Sequence, residues 1–216
     1  MDHKCVKGAF MIIVHHLNDS RSLRVLWLLE EMGTPYEIKK YQRDAVTSLA
    51  PPELKEIHPL GKSPVVTDNG EVLAESGMII DVLARRYGPD LAIDFSSPLY
   101  PAYTHWLHFA EGSAMLPFLL ALYTGRLGDA AAPLMPRITS EIMNHLSYVE
   151  SSLTGKQFFV GDRLTGADIQ MSFVGEIAKG QGALGMLPNM KAWLEGLHAR
   201  PQWQVALEKG GPYRFA

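Results

Sequence analysis

The sequence predicts an α/β domain followed by an all-α domain, and three observations carry that prediction. Short β-branched runs alternate with helical periodicity up to about Tyr87, and every periodic segment beyond Pro98 reads as helix. Between them, Gly88 to Pro98 has the mixed Pro, Asp and Ser content of a linker. A chain of 216 residues can bury one large core or two smaller ones, so the change of periodicity is what argues for two.

In chain order, the first ten residues carry Lys4 and Lys7 with too short an apolar part for a signal peptide, and no small-residue cleavage pattern follows. They read as a flexible leader that leaves Cys5 outside the core, with Met11 close enough to the first strand to be an alternative start. Met11 to His16 is a strand, followed by a polar loop and a helix from about Ser20 to Met32. Leu23, Leu26 and Trp27 form its apolar face, Glu30-Glu31 its wet side, and Gly33 its C′ position. A strand at Glu37 to Tyr41 leads into an irregular stretch through Pro51-Pro52. Strands near Val65-Val66 and Val72-Leu73 are joined by Asp68-Asn69-Gly70, a strong hairpin signal, and a helix from Glu75 to Tyr87 covers the small sheet.

The second half opens with a long helical pattern from Leu99 to about Thr124, which Pro117 is predicted to bend or interrupt. Pro136 to Leu153 is the next helix. Thr165-Gly166-Ala167-Asp168 is an N-terminal capping box, with aspartate where glutamate is commoner, and such a cap is worth about 0.5–2 kcal/mol. Its role is structural, so Thr165 and Asp168 stay outside the candidate site. Gly180, Gly182 and Gly185 mark a turn, and Pro188 starts what reads as the last regular helix, to about Ala199. The predicted division is therefore a leader at 1–10, an α/β domain at 11–87, a linker at 88–97 and an all-α domain at 98–216, with no internal repeat.

Composition narrows the function. The formal charge is −3 with Lys and Arg dispersed, so no basic stripe tracks a phosphate backbone and nucleic acid is not an expected partner. The longest apolar run, Met115 to Tyr123, is broken by Pro117 and falls well short of the roughly 20 residues that span a bilayer, so no membrane partner is expected. A single cysteine excludes an intrachain disulfide and a four-cysteine metal site, and fits a reducing, cytoplasmic setting.

The stretch Gly61-Lys62-Ser63-Pro64-Val65-Val66, with Glu75-Ser76 a hairpin later, describes a site for a small peptide. A proline that opens a strand, through a cis bond if one forms, turns the neighbouring backbone outward. Val65 can then offer its N–H and C=O to an extended peptide, while the N–H groups and side chains of Glu75-Ser76 hold an α-carboxylate and an α-amine. Taken singly, the same pieces also read as a strand start and a helix cap.

The order of these pieces resembles the glutathione-binding domain of the soluble glutathione S-transferases. Phe158-Phe159-Val160-Gly161-Asp162-Arg163-Leu164-Thr165-Gly166-Ala167-Asp168-Ile169 resembles the family's capping-box helix, so the resemblance runs from about Met11 to about Trp203. Asn18 to Ser22, together with Trp106 to Ser113, looks closest to the fungal and bacterial branch with a serine-type site. The resemblance implies a thioredoxin-like N-terminal domain with a mixed four-stranded sheet and a C-terminal helical bundle. It implies glutathione as co-substrate, a small apolar electrophile, no permanently bound cofactor or metal, and a homodimer. It carries Lys62 to the glycine carboxylate, Val65 beside Ser63 to the cysteinyl backbone, and Glu75-Ser76 to the γ-glutamyl end. His58 stands where relatives often have asparagine.

Glutathione conjugation needs a thiol of pKa near 8.5 to ionise near neutral pH, and each unit of lowering takes about 1.4 kcal/mol. A hydroxyl donor and a helix N-terminus can supply this. Ser20 follows the first strand and stands four residues before Arg24, the spacing of the activating serine in serine-type relatives; a plain N-cap is the other reading. Asn18 ranks second as an N–H donor to sulfur, and His16, as base or cavity wall, and Ser22 compete with it. The loop has no tyrosine or cysteine for the other known mechanisms. The expected electrophile pocket comprises His16, Tyr103, Trp106, Phe109, Glu111 and Met115, in an aromatic and methionine-rich pattern that extends to Phe118 and Tyr123 and that Glu111-Gly112-Ser113 turns toward the cleft. A non-catalytic module of the same fold, or another glutathione-dependent enzyme such as a peroxidase, dehalogenase or isomerase, is the alternative.

Overall fold

The structure is a computed structural model that describes residues 11–215; the proposed leader and Cys5 lie outside them. Four strands form one mixed sheet in the order β2-β1-β3-β4: β1 (Ile12–Leu17), β2 (Glu37–Tyr41), β3 (Val65–Asp68) and β4 (Glu71–Ala74). β1 runs parallel to β2, with Val14 opposite Ile38, and antiparallel to β3, with Val14 opposite Val66. Asn69 and Gly70 both take positive φ, 50° and 87°, as the tight β3–β4 hairpin requires. β2 is an edge strand carrying exposed Glu37, Lys39 and Lys40, charges that discourage pairing with another chain.

Helix α1 (Ser22–Met32) is buried from Ser22 through Leu29, not on one face alone. The sheet covers one side, while α3 (Ser76–Tyr87), α7 (Gly166–Gly180) and α9 (Pro201–Gly210) cover the rest. α9 corrects the expectation that the chain's last regular helix ends near Ala199. Pro201 opens it, Trp203 and Ala206 bury themselves, and Trp203 meets Trp27 edge to face at 5.3 Å. The same helix overturns the expected wet side of α1. Glu31 is clamped by Arg200 at 2.6 and 2.8 Å, and Glu30 accepts from Lys209 at 2.5 Å and from the Tyr36 hydroxyl. A short helix, α2 (Leu54–Ile57), stands in the stretch expected to be irregular.

The long helical pattern of the second half is broken, though one turn earlier than expected. α4 (Tyr100–Phe109) and α5 (Met115–Thr124) are separated by a wide π turn over Ala110–Ala114, in which Met115 N–H reaches back to the Ala110 carbonyl. Pro117 has no N–H and its ring crowds the carbonyl four residues back, so the distortion falls in the turn preceding it. α6 (Met135–Ser152) and α8 (Pro188–His198) complete the bundle around α7. The capping box opens α7, with Thr165 Oγ1 accepting the Ala167 N–H at 3.3 Å and Asp168 Oδ2 accepting the Thr165 N–H at 3.1 Å. At Gly166 a Cβ would stand 2.8 Å from both Ile80 and the Tyr103 hydroxyl, so only glycine lets α7 pack this closely on α3 and α4. Among the described residues no helix is long and apolar enough to cross a membrane.

Candidate active site

The loop after β1 delivers Ser20 to the N-terminus of α1. Asp19 takes a φ of 48°, which turns the chain sharply, and Ser20 is 3% exposed. Its hydroxyl accepts the Ser22 N–H at 3.2 Å, lies 2.8 Å from Ser22 Oγ, and is 3.5 Å from Ser63 Oγ. Ser63 opens the sheet entrance from the other side: the Ser63–Pro64 bond is cis and the Ser63 hydroxyl donates to the His15 carbonyl at 3.1 Å. Two segments far apart in sequence thereby present one polar corner.

The third component is the start of α3. Glu75 is exposed and has a φ of 73°, a conformation rarely adopted by a side chain with a Cβ, and Ser76 begins the helix behind it. The first-turn N–H groups of α3 have no carbonyl of their own helix to meet, which makes this end receptive to a carboxylate. Ser76 Oγ accepts from Arg24 Nη2 at 3.2 Å and from Gln170 Nε2 at 3.1 Å, so α1 and α7 both brace that end. Lys62 is exposed at the mouth of the same corner.

Across the cleft, Glu111 of the π turn accepts from Arg21 Nε at 2.8 Å on both oxygens and from Arg24 Nη2 at 2.8 Å. Burial works against its ionisation, yet the guanidiniums of Arg24 and Arg21 outweigh it and hold the carboxyl below the usual glutamate range. Arg24 is 1% exposed and also donates to the Gln170 carbonyl. Arg21 lies 4.6 Å over the Phe173 ring. This network ties α1 to α4, α7 and the start of α3.

Several expected site residues stand elsewhere. β3 has a strand on each side, with Val65 opposite His15 on β1 and Ala74 on β4, so its backbone groups face the sheet whichever way they point. Ser63, before the cis proline, is where the backbone meets the corner. Asn18 Oδ1 accepts the Arg43 N–H at 2.8 Å and its Nδ2 faces Asp19 at 3.4 Å, holding the loop to the segment after β2. His16 is 5% exposed and lies beneath Ser22, with Nδ1 2.8 Å from Ser22 Oγ and the ring also bonded to the Gly210 backbone; it does not line a pocket. Burial, with Lys40 adding to it, pushes His16 down to about 4.

The expected electrophile pocket is corrected in the same way. Tyr103 is fully buried against Gly166 and Ile80, and Met115 is 3% exposed in the core. Trp106 packs 4.3 Å from Phe159, and Phe109 faces Tyr148 and His145 on α6. These side chains fill the bundle because α4 presents them to α6 and α7. Glu111 does face the cleft, but as an ion-pair anchor. Arg21 and Gln170 were missed, and Arg24 was read only as a spacing mark. The available signal was a charged residue inside the apolar run Leu23-Arg24-Val25-Leu26. Two open clefts of about 390 and 640 Å³, which share Phe158 and Arg200, are lined by none of these site residues.

Known proteins carry the same arrangement. The family model "Glutathione S-transferase, N-terminal domain" matches residues 10–85 and "Glutathione S-transferase, C-terminal domain" matches residues 118–201. The chain is similar to Glutathione S-transferase 3 of Schizosaccharomyces pombe, 36% identical over 92% of this chain and 88% of that one. It is similar to the crystal structure of a glutathione S-transferase from Actinobacillus pleuropneumoniae, with a TM-score of 0.85 and 37% identity over 95% of both chains. It shares the fold of a sphingomonad glutathione S-transferase solved with glutathione, TM-score 0.78 and 22% identity over 92% of this chain and 98% of that one. A serine at the start of α1, a cis proline before β3, a braced α3 terminus and a capping-box helix, matched along nearly the whole chain by these relatives, mean that it belongs to the glutathione S-transferase family.

Proposed function

We propose that this chain is a glutathione transferase in which the Ser20 hydroxyl stabilises the glutathione thiolate for attack on an electrophilic carbon of a small apolar substrate. The observation that carries the reading is the approach of Ser20 Oγ to 3.5 Å from Ser63 Oγ, beside the cis proline and at the N-terminus of α1. A sulfur seated there meets a hydroxyl donor and the partial positive charge of a helix end, the two influences that lower a thiol's pKa. Around it, the Ser63 backbone takes the cysteinyl unit, Lys62 the glycine carboxylate, and Glu75 with the Ser76 N–H the γ-glutamyl end. Glutathione is the co-substrate, with no permanently bound cofactor. The electrophile approaches from the side of α4. The working units are residues 11–87 and 98–216 joined by 88–97, in a cytoplasmic homodimer.

The test is a pH titration of the ultraviolet thiolate band of glutathione bound to the parent protein and to Ser20→Ala. The parent should show the band well below the pKa of free glutathione. Ser20→Ala should lose the shift and about 10²-fold in turnover while binding glutathione nearly as tightly. An unshifted thiol in the parent would overturn the assignment of activation to this site.

A further inference from the structure

Ser20, Ser22 and His16 form a continuous hydrogen-bonded chain from the cleft into the core, and the direction of each proton follows from the acceptors. The Gly210 backbone at the end of α9 takes the ring N–H of His16, so the nitrogen facing Ser22, Nδ1, holds the lone pair of the neutral imidazole. Ser22 has one proton, and Nδ1 at 2.8 Å is a closer acceptor than the Leu17 carbonyl at 3.3 Å. The 2.8 Å contact between Ser20 Oγ and Ser22 Oγ must then use the proton of Ser20. The hydroxyl nearest the cleft therefore points its proton inward.

We propose that Ser22 and His16 are positioning residues that set the degree of thiol activation by holding the Ser20 proton inward, so that a glutathione thiolate must draw it out of the Ser20–Ser22 hydrogen bond. The inference rests on Ser20 acting on the thiol. On ionisation the thiol proton leaves to solvent, the Ser20 O–H swings from Ser22 Oγ to sulfur, and no proton passes to His16. The Ser22 N–H keeps its bond to Ser20 Oγ throughout. His16 stays neutral over the range in which a thiol titrates, because burial and Lys40 of β2 disfavour the imidazolium. The other charges around the chain are paired: Arg21 and Arg24 of α1 with Glu111 of the π turn, and Asp19 with Arg214.

The experiment measures the midpoint of the thiolate band of bound glutathione in the parent, Ser22→Ala, Ser20→Ala and the double variant. Ser22→Ala should lower the midpoint by roughly half a unit to one unit, the effect of removing one competing hydrogen bond. In the Ser20→Ala background the same change should have no effect, because Ser22 acts only through Ser20. S-methylglutathione, which has no thiol proton, should bind the parent and Ser22→Ala equally, and an affinity change matching the midpoint shift would overturn a positioning role. An unchanged midpoint in Ser22→Ala would overturn the proposal, and a raised one would make His16 the proton acceptor instead. If Ser20→Ala leaves the midpoint unmoved, the reading of Ser20 fails as well, which separates the two failures. His16→Phe removes the same acceptor while filling the same space; it carries the same expectation should Ser22→Ala not fold.

Discussion

At the scale of single residues, Arg24 concentrates the largest consequence in the smallest place. A guanidinium 1% exposed within an apolar helix is tolerable only because Glu111, Ser76 and the Gln170 carbonyl accept from it. Glu111→Gln would leave that charge buried without its counter-ion and should destabilise the fold by about 3 kcal/mol at neutral pH. The Glu111 carboxyl titrates below its unfolded value of 4.5, so its contribution is fully present above that value and is lost as pH falls through the lower folded value. Denaturant unfolding of parent and variant should therefore show a gap at pH 7 that narrows below about pH 4. A gap independent of pH would mean that the ion pair is not what holds the two domains. Burial raises Asp168 of the capping box to about 6, the opposite direction, although Phe159, Trp193 and Thr165 all donate to it.

At the scale of elements, the informative piece is α9. Its few apolar residues make a weak sequence signal, yet Trp203 and Ala206 land on the one face of α1 that the sheet leaves open. Trp203 is 1% exposed, sits edge to face on Trp27, and lies parallel to His198 at 4.2 Å. Trp203→Ala should cost about 3–5 kcal/mol, measured by urea unfolding, because the cavity it leaves is walled by rigid helices. A loss below about 1 kcal/mol would show that α9 detaches without affecting the rest. The interruption between α4 and α5 makes the same point: Pro117 forecasts a break, and the packing of α5 on α6 decides that it takes the form of a π turn one turn earlier.

At the scale of the whole molecule, α1 is the common wall of both domains, so the cleft that holds Ser20 is set by how α7 and α9 press on it. Apolar side chains remain outside: Leu116, Leu120 and Tyr123 are 53, 45 and 59% exposed on one face of α5, and Val72 and Met78 are 44 and 40% exposed on β4 and α3. Surfaces of this kind favour burial against another copy. The expected outcome of light scattering at micromolar concentration is the mass of a homodimer, and a monomer mass would overturn that part of the reading.

What the sequence by itself determined is everything that local chemistry controls. Alternation placed the strands, Asp68-Asn69-Gly70 the hairpin, Gly33 the end of α1, Thr165 and Asp168 the start of α7, and the loop before α1 the candidate hydroxyl. What only the tertiary structure decided is which face of each helix meets which neighbour. Tyr103, Trp106 and Met115 have the composition of a pocket and the position of a core, and His16 has the chemistry of a base and the surroundings of a buried hydrogen-bond acceptor. Periodicity states that a helix has an apolar face, but burial of that face is shared among elements distant in sequence. Whether a side chain lines a cleft or fills an interior is therefore fixed by packing between elements and not within any one of them.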